Sequence, residues 1–363
     1  METITDSRPQ SLWNQKRDRR PVIIAGPCSA ETEEQVLETA RQLSGFGIRI
    51  FRAGIWKPRT RPDSFEGVGN AGLKWLLQAK KETGMLISTE VANGRHAYEA
   101  IKFGVDILWI GARTTANPFA VQEIADALQG ASCSVLVKNP VNPDTDLWVG
   151  AVERLGKAGI YDIGAIHRGF SKYTKERFRN PPIWQIPIEL KRRIPEIPMF
   201  CDPSHIAGDR SLLPELCQKA IDLDYDGLMI ESHENPAKAL SDARQQLTPY
   251  ELDKMLAALS YRKPDSKSAG FLTTIEELRS RIDLLDEDLL NILSERMLVA
   301  EQIGKCKKEN SVTILQRQRW DDLVKNRIES AIRKGLSVTL ATGIMDAIHQ
   351  ESINRQTEVM NSY

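Results

Sequence analysis

The chain has 363 residues, 41% hydrophobic and 27% charged, and its 49 basic side chains balance its 49 acidic ones. Zero net charge excludes a general attraction to nucleic acid or to an anionic membrane surface, so anion binding must be local. The first twenty residues contain no apolar run resembling a signal sequence, and no later run is long enough to span a bilayer. Five scattered cysteines, Cys28, Cys133, Cys201, Cys217 and Cys306, form no C-x-x-C pair, which fits a reducing, cytoplasmic setting.

Val22-Ile23-Ile24-Ala25 reads as a buried strand that Gly26-Pro27 ends, which places Cys28 at its C-terminal mouth. Taken alone, a cysteine there is more often a small buried hydrophobe than a ligand. Glu31 to Gly45 then has helical spacing at Val36, Leu37, Ala40 and Leu43. Further strands are expected at Ile48 to Trp56, Met85 to Val91, Val105 to Ala112 and Ser134 to Pro140. Three more follow at Tyr161 to Arg168, Ile197 to His205 and Tyr225 to His233. Helices fill the gaps, near Ala71 to Thr83, Arg95 to Phe103, Pro118 to Gln129 and Asp146 to Lys157, then Ile183 to Arg193, Asp209 to Leu223 and Pro249 to Leu259. Eight β-then-α units over about 240 residues match the ~250 of a (β/α)8 TIM barrel. Gly67-Val68-Gly69-Asn70-Ala71-Gly72 has the letters of a phosphate turn, but it follows a loop and reads as loop flexibility.

Ser260 to Gly270 is a polar stretch without periodicity, giving a barrel over 1–259, a linker over 260–270 and an all-helical domain over 271–363. Ile275, Leu278, Ile282, Leu285, Leu289 and Ile292 form a 3-4 seam continued by Arg296, Val299 and Ile303. A helix from Thr273 to Lys308 would be about 50 Å long and needs a partner to cover it. Gln316 to Arg333 and Leu340 to Met360 supply two further helices, and so elongated a unit suggests a homodimer or higher homo-oligomer.

Several strand mouths of the barrel carry reactive groups: Cys28, His205 and Glu231, with Asp242 in the segment beyond. A thiolate, an imidazole and two carboxylates suit one divalent transition metal ion, Mn2+, Fe2+, Co2+ or Zn2+. Arg52, Lys57, Arg113, Lys138 and Arg168 also gather at these mouths, pointing to a substrate with phosphate and carboxylate groups. The plainer alternative pairs them with acids such as Glu90 or Asp106.

Ala25-Gly26-Pro27-Cys28-Ser29, Lys57-Pro58-Arg59-Thr60, Ile110-Gly111-Ala112-Arg113, Val137-Lys138-Asn139, Ile166-His167-Arg168-Gly169 and Asp202-Pro203-Ser204-His205 together resemble the short, single-barrel 3-deoxy-D-arabino-heptulosonate 7-phosphate (DAHP) synthases. Lys57-Pro58-Arg59-Thr60 is the most specific piece, because the sister 3-deoxy-D-manno-octulosonate 8-phosphate synthases have Ala-Asn in place of Pro58-Arg59. The resemblance implies phosphoenolpyruvate and erythrose 4-phosphate as substrates. It places Arg113, Lys138 and Arg168 on phosphoenolpyruvate with help from Arg52 and Lys57, and puts Pro58, Arg59 and Thr60 at erythrose 4-phosphate. Cys28, His205, Glu231 and Asp242 become the metal ligands, Glu90 lies beside phosphoenolpyruvate, and Lys57 handles a proton near the aldehyde.

In the helical domain, Arg296 takes a seam position that should hold Leu or Ile, a costly choice unless an anion meets it or the side chain snorkels to the surface. Lys307 projects from the same face about three turns on. Arg279 is ~25 Å away along the axis on another face, so only a second, antiparallel copy could bring it to the same ligand. Leu278-Arg279-Ser280-Arg281, Glu295-Arg296, Gly304-Lys305-Cys306-Lys307, Arg319, and Glu351-Ser352 followed by Gln356 resemble the all-helical chorismate mutases. By that resemblance Arg296, Arg319, Ser352 and the partner's Arg279 bind the carboxylates of chorismate, while Lys307 and Gln356 reach its ether oxygen. The chain departs from the family at Trp320 and Gln316, where acidic residues are usual, so recognition of the chorismate hydroxyl does not carry over.

The expectation is thus a bifunctional shikimate-pathway enzyme, a TIM barrel followed by an all-α chorismate mutase-like domain. With about twenty residues ahead of the first strand, the helical domain is expected to sense chorismate or prephenate and restrain the barrel. The competing readings are an octulosonate phosphate synthase barrel and a catalytically dead dimerisation module.

Overall fold

The structure, a computed structural model, describes residues 12–13, 20–57, 65–172, 177–262, 265–315 and 326–362. It separates into two compact units, Met1–Pro264 and Asp265–Tyr363.

In the first unit eight parallel strands close a barrel in sequence order. They are β1 (Val22–Gly26), β2 (Ile50–Arg52), β3 (Leu86–Val91), β4 (Ile107–Ile110), β5 (Ser134–Lys138), β6 (Ile163–His167), β7 (Met199–Cys201) and β8 (Gly227–Glu231). The helices are α1 (Glu33–Gly45), α2 (Ala71–Thr83), α3 (Gly94–Lys102), α4 (Ala112–Thr115) and α5 (Pro118–Ala127), then α6 (Thr145–Lys157), α7 (Gln185–Arg193), α8 (Pro203–Ala207), α9 (Leu213–Asp222) and α10 (Pro249–Ala257). The ring closes where Val22 to Gly26 of β1 pair with Gly227 to Glu231 of β8.

The strand alternation sorts the apolar side chains into two cores. Phe51, Ile87, Leu108, Val137 and Ile230 face outward to meet the helices. Ile24, Ile50, Ile107, Trp109, Leu136, Ile166, Phe200 and Met229 fill the interior. Trp13 enters that interior cluster and packs edge-on against Phe200, with ring centroids 5.0 Å apart. A filled interior sends ligands to the C-terminal loops.

Local chemistry fixes where several helices begin. Asn93, Asn117 and Asp144 each accept an orphan amide at the start of α3, α5 and α6, and Thr248 with Glu251 forms a capping box on α10. Each such cap contributes about 1 kcal/mol. The Gly67 to Gly72 stretch is a built turn rather than a flexible loop. A Cβ on Gly67, whose φ is +93°, would lie 2.2 Å from the Ile55 carbonyl oxygen, so only glycine allows that approach.

The second unit contains α11 (Ala269–Glu309), a helical stretch α12 over the described residues 326–333, and α13 (Val338–Asn361). Helix α11 has 41 residues and begins at Ala269, so the last two residues read as linker form its first turn. Leu278, Ile282, Leu285, Leu289, Ile292, Val299 and Ile303 of its apolar seam are exposed, whereas Ala300 and Gly304 are buried.

Candidate active sites

Cys28 lies two residues beyond β1, and its amide donates to Gln246 Oε1 at 3.0 Å. Its Sγ is 3.4 Å from Asp242 Oδ2, and one ligand atom each of Cys28, Glu231 and Asp242 lies within 4.8 Å of the others. His205 does not end a strand as expected. It stands on α8, a short helix that Asp202 caps and Pro203 opens. There its Nδ1 is 2.8 Å from Asp202 Oδ2, while its Nε2 is 3.7 Å from Glu231 Oε1. His205 thus touches the three-residue group at Glu231 and stands outside it.

This donor set fits a divalent metal. Burial pushes the Cys28 thiol up to about 12, with Glu231 and Asp242 adding to the effect and Lys57 and Arg52 opposing it. A thiolate beside two carboxylates therefore requires a strong cation. Asp202, facing Nδ1, orients the imidazole so that its second nitrogen is free to ligate.

Sequence reasoning missed the groups that hold these ligands. Arg179 Nη1 donates to Asp242 Oδ1 at 2.9 Å and to Gln245 Oε1 at 3.0 Å, and Gln245 Nε2 donates to Glu231 Oε2 at 2.6 Å. Burial works against charge on Asp242, but His205 and Arg179 outweigh it and hold the carboxyl below the usual range. Asp242 also adopts a left-handed backbone, φ +49°, directly after Ser241, whose hydroxyl pairs with that of Ser29.

The expected cations take different positions. Arg52 is wholly buried, and its Nη2 meets Glu231 Oε1 at 3.2 Å. Its Nε and Nη1 are buried without a hydrogen-bond partner. Lys138 Nζ meets Asp202 Oδ2 at 2.7 Å. Neither pairs with the acids first considered: Asp106 takes Lys80 at 2.6 Å, and Glu90 accepts from Trp109 Nε1 at 3.2 Å. Lys57 is buried in space left by Gly54, where a Cβ would come within 2.7 Å of Nζ. Burial opposes the Lys57 charge, but Cys28 and Glu90 more than offset it, so its pKa is raised. Burial brings Arg168 down to about 10, still a cation at neutral pH. Arg113 is exposed on α4, while Pro58, Arg59 and Thr60 lie outside the described residues.

In the helical unit Arg296 and Lys307 both reach α13. Arg296 Nη1 donates to Ser352 Oγ at 2.6 Å, and Lys307 Nζ donates to Gln356 Oε1 at 3.0 Å and to the Ile314 carbonyl at 2.6 Å. Ser352 and Gln356, one turn apart, are both buried. Burial and then the positive charge of Arg327 lower the Arg296 pKa, so two cations converge and favour an anionic occupant. Arg327 is a further residue that sequence reasoning missed. Arg279 is exposed, 4.0 Å from Glu276, and Arg319, Gln316 and Trp320 lie outside the described residues.

The two units that carry these sites are similar to known proteins. Residues 10–266 match the DAHP synthetase I family, and residues 278–357 match chorismate mutase type II. Phospho-2-dehydro-3-deoxyheptonate aldolase of Thermotoga maritima is 36% identical over 234 residues, covering 64% of this chain and 67% of that protein. The solved structure of a Thermotoga maritima DAHP synthase superposes with a TM-score of 0.58 at 30% identity, covering 65% of this chain and 67% of the other. 2-Dehydro-3-deoxyphosphooctonate aldolase of Nitrosococcus oceani is 27% identical over 273 residues, covering 70% of this chain and 94% of that protein. With its barrel matched over most of the chain and a mutase domain following it, the chain belongs to the DAHP synthetase I family as a bifunctional shikimate-pathway enzyme.

Proposed function

We propose that the barrel condenses phosphoenolpyruvate with erythrose 4-phosphate in a metal-dependent reaction, and that the helical domain rearranges chorismate to prephenate. The observation that carries the barrel reading is Arg52, a buried guanidinium that keeps two donors unpartnered beside a thiol and two carboxylates. Such donors call for a desolvated anion. Cys28, His205, Glu231 and Asp242 would hold one divalent ion, Mn2+, Fe2+, Co2+ or Zn2+, which when bound supplies Lewis acidity toward the aldehyde.

Arg52, Lys138, Arg168 and Arg113 bind the phosphate and carboxylate of phosphoenolpyruvate, with Glu90 beside it. Arg59 and Thr60 hold erythrose 4-phosphate. C3 of phosphoenolpyruvate bonds to the aldehyde carbon, whose oxygen takes a proton; water adds at C2, and phosphate leaves. Lys57, kept as an ammonium by its neighbours, is the donor of that first proton.

In the helical domain Arg296, Arg319, Ser352 and the partner's Arg279 hold the two carboxylates in the compact conformer. Lys307 and Gln356 donate to the ether oxygen as charge develops there, and no general base is needed. The exposed seam of α11 supports pairing with a second copy, as a homodimer or higher homo-oligomer. No helix among the described residues is long and apolar enough to cross a membrane, and we place the enzyme in the cytoplasm.

Purified protein is assayed with phosphoenolpyruvate and either erythrose 4-phosphate or arabinose 5-phosphate, with and without a chelator. Turnover of erythrose 4-phosphate that the chelator abolishes is expected. Preference for arabinose 5-phosphate would instead support the octulosonate reading, which the Nitrosococcus oceani likeness keeps as the second choice. Chorismate turnover that disappears in Arg296→Ala supports the mutase, whereas tight binding without turnover supports a sensing module. The same variant tests feedback: inhibition of the barrel by prephenate should weaken with it.

A further inference from the structure

Trp109 is a fully buried residue of β4, and its side chain belongs to the cluster that fills the barrel interior. The Arg52 guanidinium carbon lies 4.9 Å from the centroid of its ring, and Lys138 Nζ lies 5.9 Å from it. The indole Nε1–H donates to Glu90 Oε2 at 3.2 Å. One neutral side chain therefore touches three charged residues carried by β2, β5 and β3. Gly111, the residue after β4, leaves the room that Glu90 occupies, since a Cβ there would lie 2.1 Å from Glu90 Oε1.

The chemistry of that position is restrictive. An aliphatic side chain would leave the inner sides of Arg52 and Lys138 desolvated with nothing to attract them. A further carboxylate, added to Glu231 and Asp202 that already pair with them, would turn their surroundings net negative and repel an anion. An aromatic face attracts cations while leaving their charge intact, and its positive edge suits a carboxylate. The indole thus separates the site's charges by sign, cations over the face and Glu90 at the edge.

We propose that Trp109 is a positioning residue for the barrel reaction: its ring holds Arg52 and Lys138 aimed at phosphoenolpyruvate, and its N–H fixes Glu90. This rests on the reading that Arg52 and Lys138 bind phosphoenolpyruvate. The face and edge functions are separable. Phenylalanine keeps a face and loses the donor; methionine, an apolar filler, loses both.

The test uses full-length Trp109→Phe, Trp109→Met, Glu90→Gln and Arg52→Ala, reading kcat, KM and directly titrated Kd for phosphoenolpyruvate. Thermal midpoints and chorismate turnover serve as folding controls. Trp109→Met should raise KM and Kd for phosphoenolpyruvate about tenfold, and Trp109→Phe by no more than about threefold. Trp109→Phe should lower kcat as Glu90→Gln does, and the two substitutions together should cost no more than either alone. Equal KM for the Phe and Met variants, or additive losses with Glu90→Gln, would overturn the proposal. Should Trp109→Met fail to fold, the Phe and Glu90→Gln comparison still decides it. Unchanged phosphoenolpyruvate affinity in Arg52→Ala would overturn the underlying reading instead.

Discussion

In the barrel, three cations around the site are answered by carboxylates of the same chain. Arg52 meets Glu231, Lys138 meets Asp202, and the more exposed Arg179 meets Asp242. In the helical unit Arg296 and Lys307 reach neutral partners, Ser352 and Gln356, and Arg296 also feels the like charge of Arg327. The apolar surfaces differ in the same way: the barrel buries its core inside a closed ring, whereas α11 exposes a seam of leucines and isoleucines. One site is thus largely charge-paired within one chain, with two Arg52 donors left over for an anion and the Cys28, Glu231 and Asp242 group left over for a cation. The other keeps its charge and its apolar seam uncovered within the chain, which are the features that the proposed dianion and second copy would use.

The largest expected effect removes the keystone of the charge-paired site. Cys28→Ala should lose bound metal, measured by elemental analysis, and several kcal/mol of catalysis, on the order of 10³ in DAHP synthesis. Chorismate turnover should persist; retention of both metal and DAHP synthesis would return Cys28 to the core. In the open site, Arg296→Ala should lower kcat/KM for chorismate by on the order of 10²-fold and spare DAHP synthesis.

A third effect concerns stability alone. His167 is buried, with Nε2 2.6 Å from the Pro182 carbonyl and Nδ1 3.0 Å from the Tyr225 hydroxyl, and burial lowers its pKa from 6.5 to about 4. The unfolded chain then binds a proton that the folded barrel refuses, so stability falls as pH drops from 6.5 toward 4. The loss should reach about 3 kcal/mol, and His167→Gln should flatten that slope in urea titrations. The smallest effect tests the incomplete surface. Leu285→Glu with Leu289→Glu should yield monomers in sedimentation and reduce chorismate turnover by about tenfold, because the partner's Arg279 is removed. DAHP synthesis by those monomers should stay within about twofold of the parent.

The barrel is legible because β-branched runs alternate with helical spacing, although β8 ends at Glu231, two residues short of the His233 that the pattern suggests. His205 is legible as a reactive group near the seventh strand, but it stands on a helix rather than at the strand's end. Asp202-Pro203, a capping residue before a helix-starting proline, was the signal for α8. Trp109 was hidden because Ile107-Leu108-Trp109-Ile110 is a continuous apolar run, and such a run does not say which residue faces a charged layer. Arg179 and Gln245 were missed for another reason: Arg179 sits in an irregular segment and Gln245 in a single 3-10 turn, where no periodicity predicts what a side chain meets.

Trp13 and the pairing of Val22 with Gly227 bear on how the chain matures. Trp13 and Val22 come at the beginning of the barrel's own sequence, yet their partners Phe200 and Gly227 come near its end. A ribosome must deliver almost the whole barrel before its first strand finds the last, so ring closure is a long-range, late event. Helices α11 and α13 pack together across a much shorter stretch of sequence and are free to assemble soon after they emerge. During synthesis, then, the unpaired edge of β1 is the segment most in need of protection.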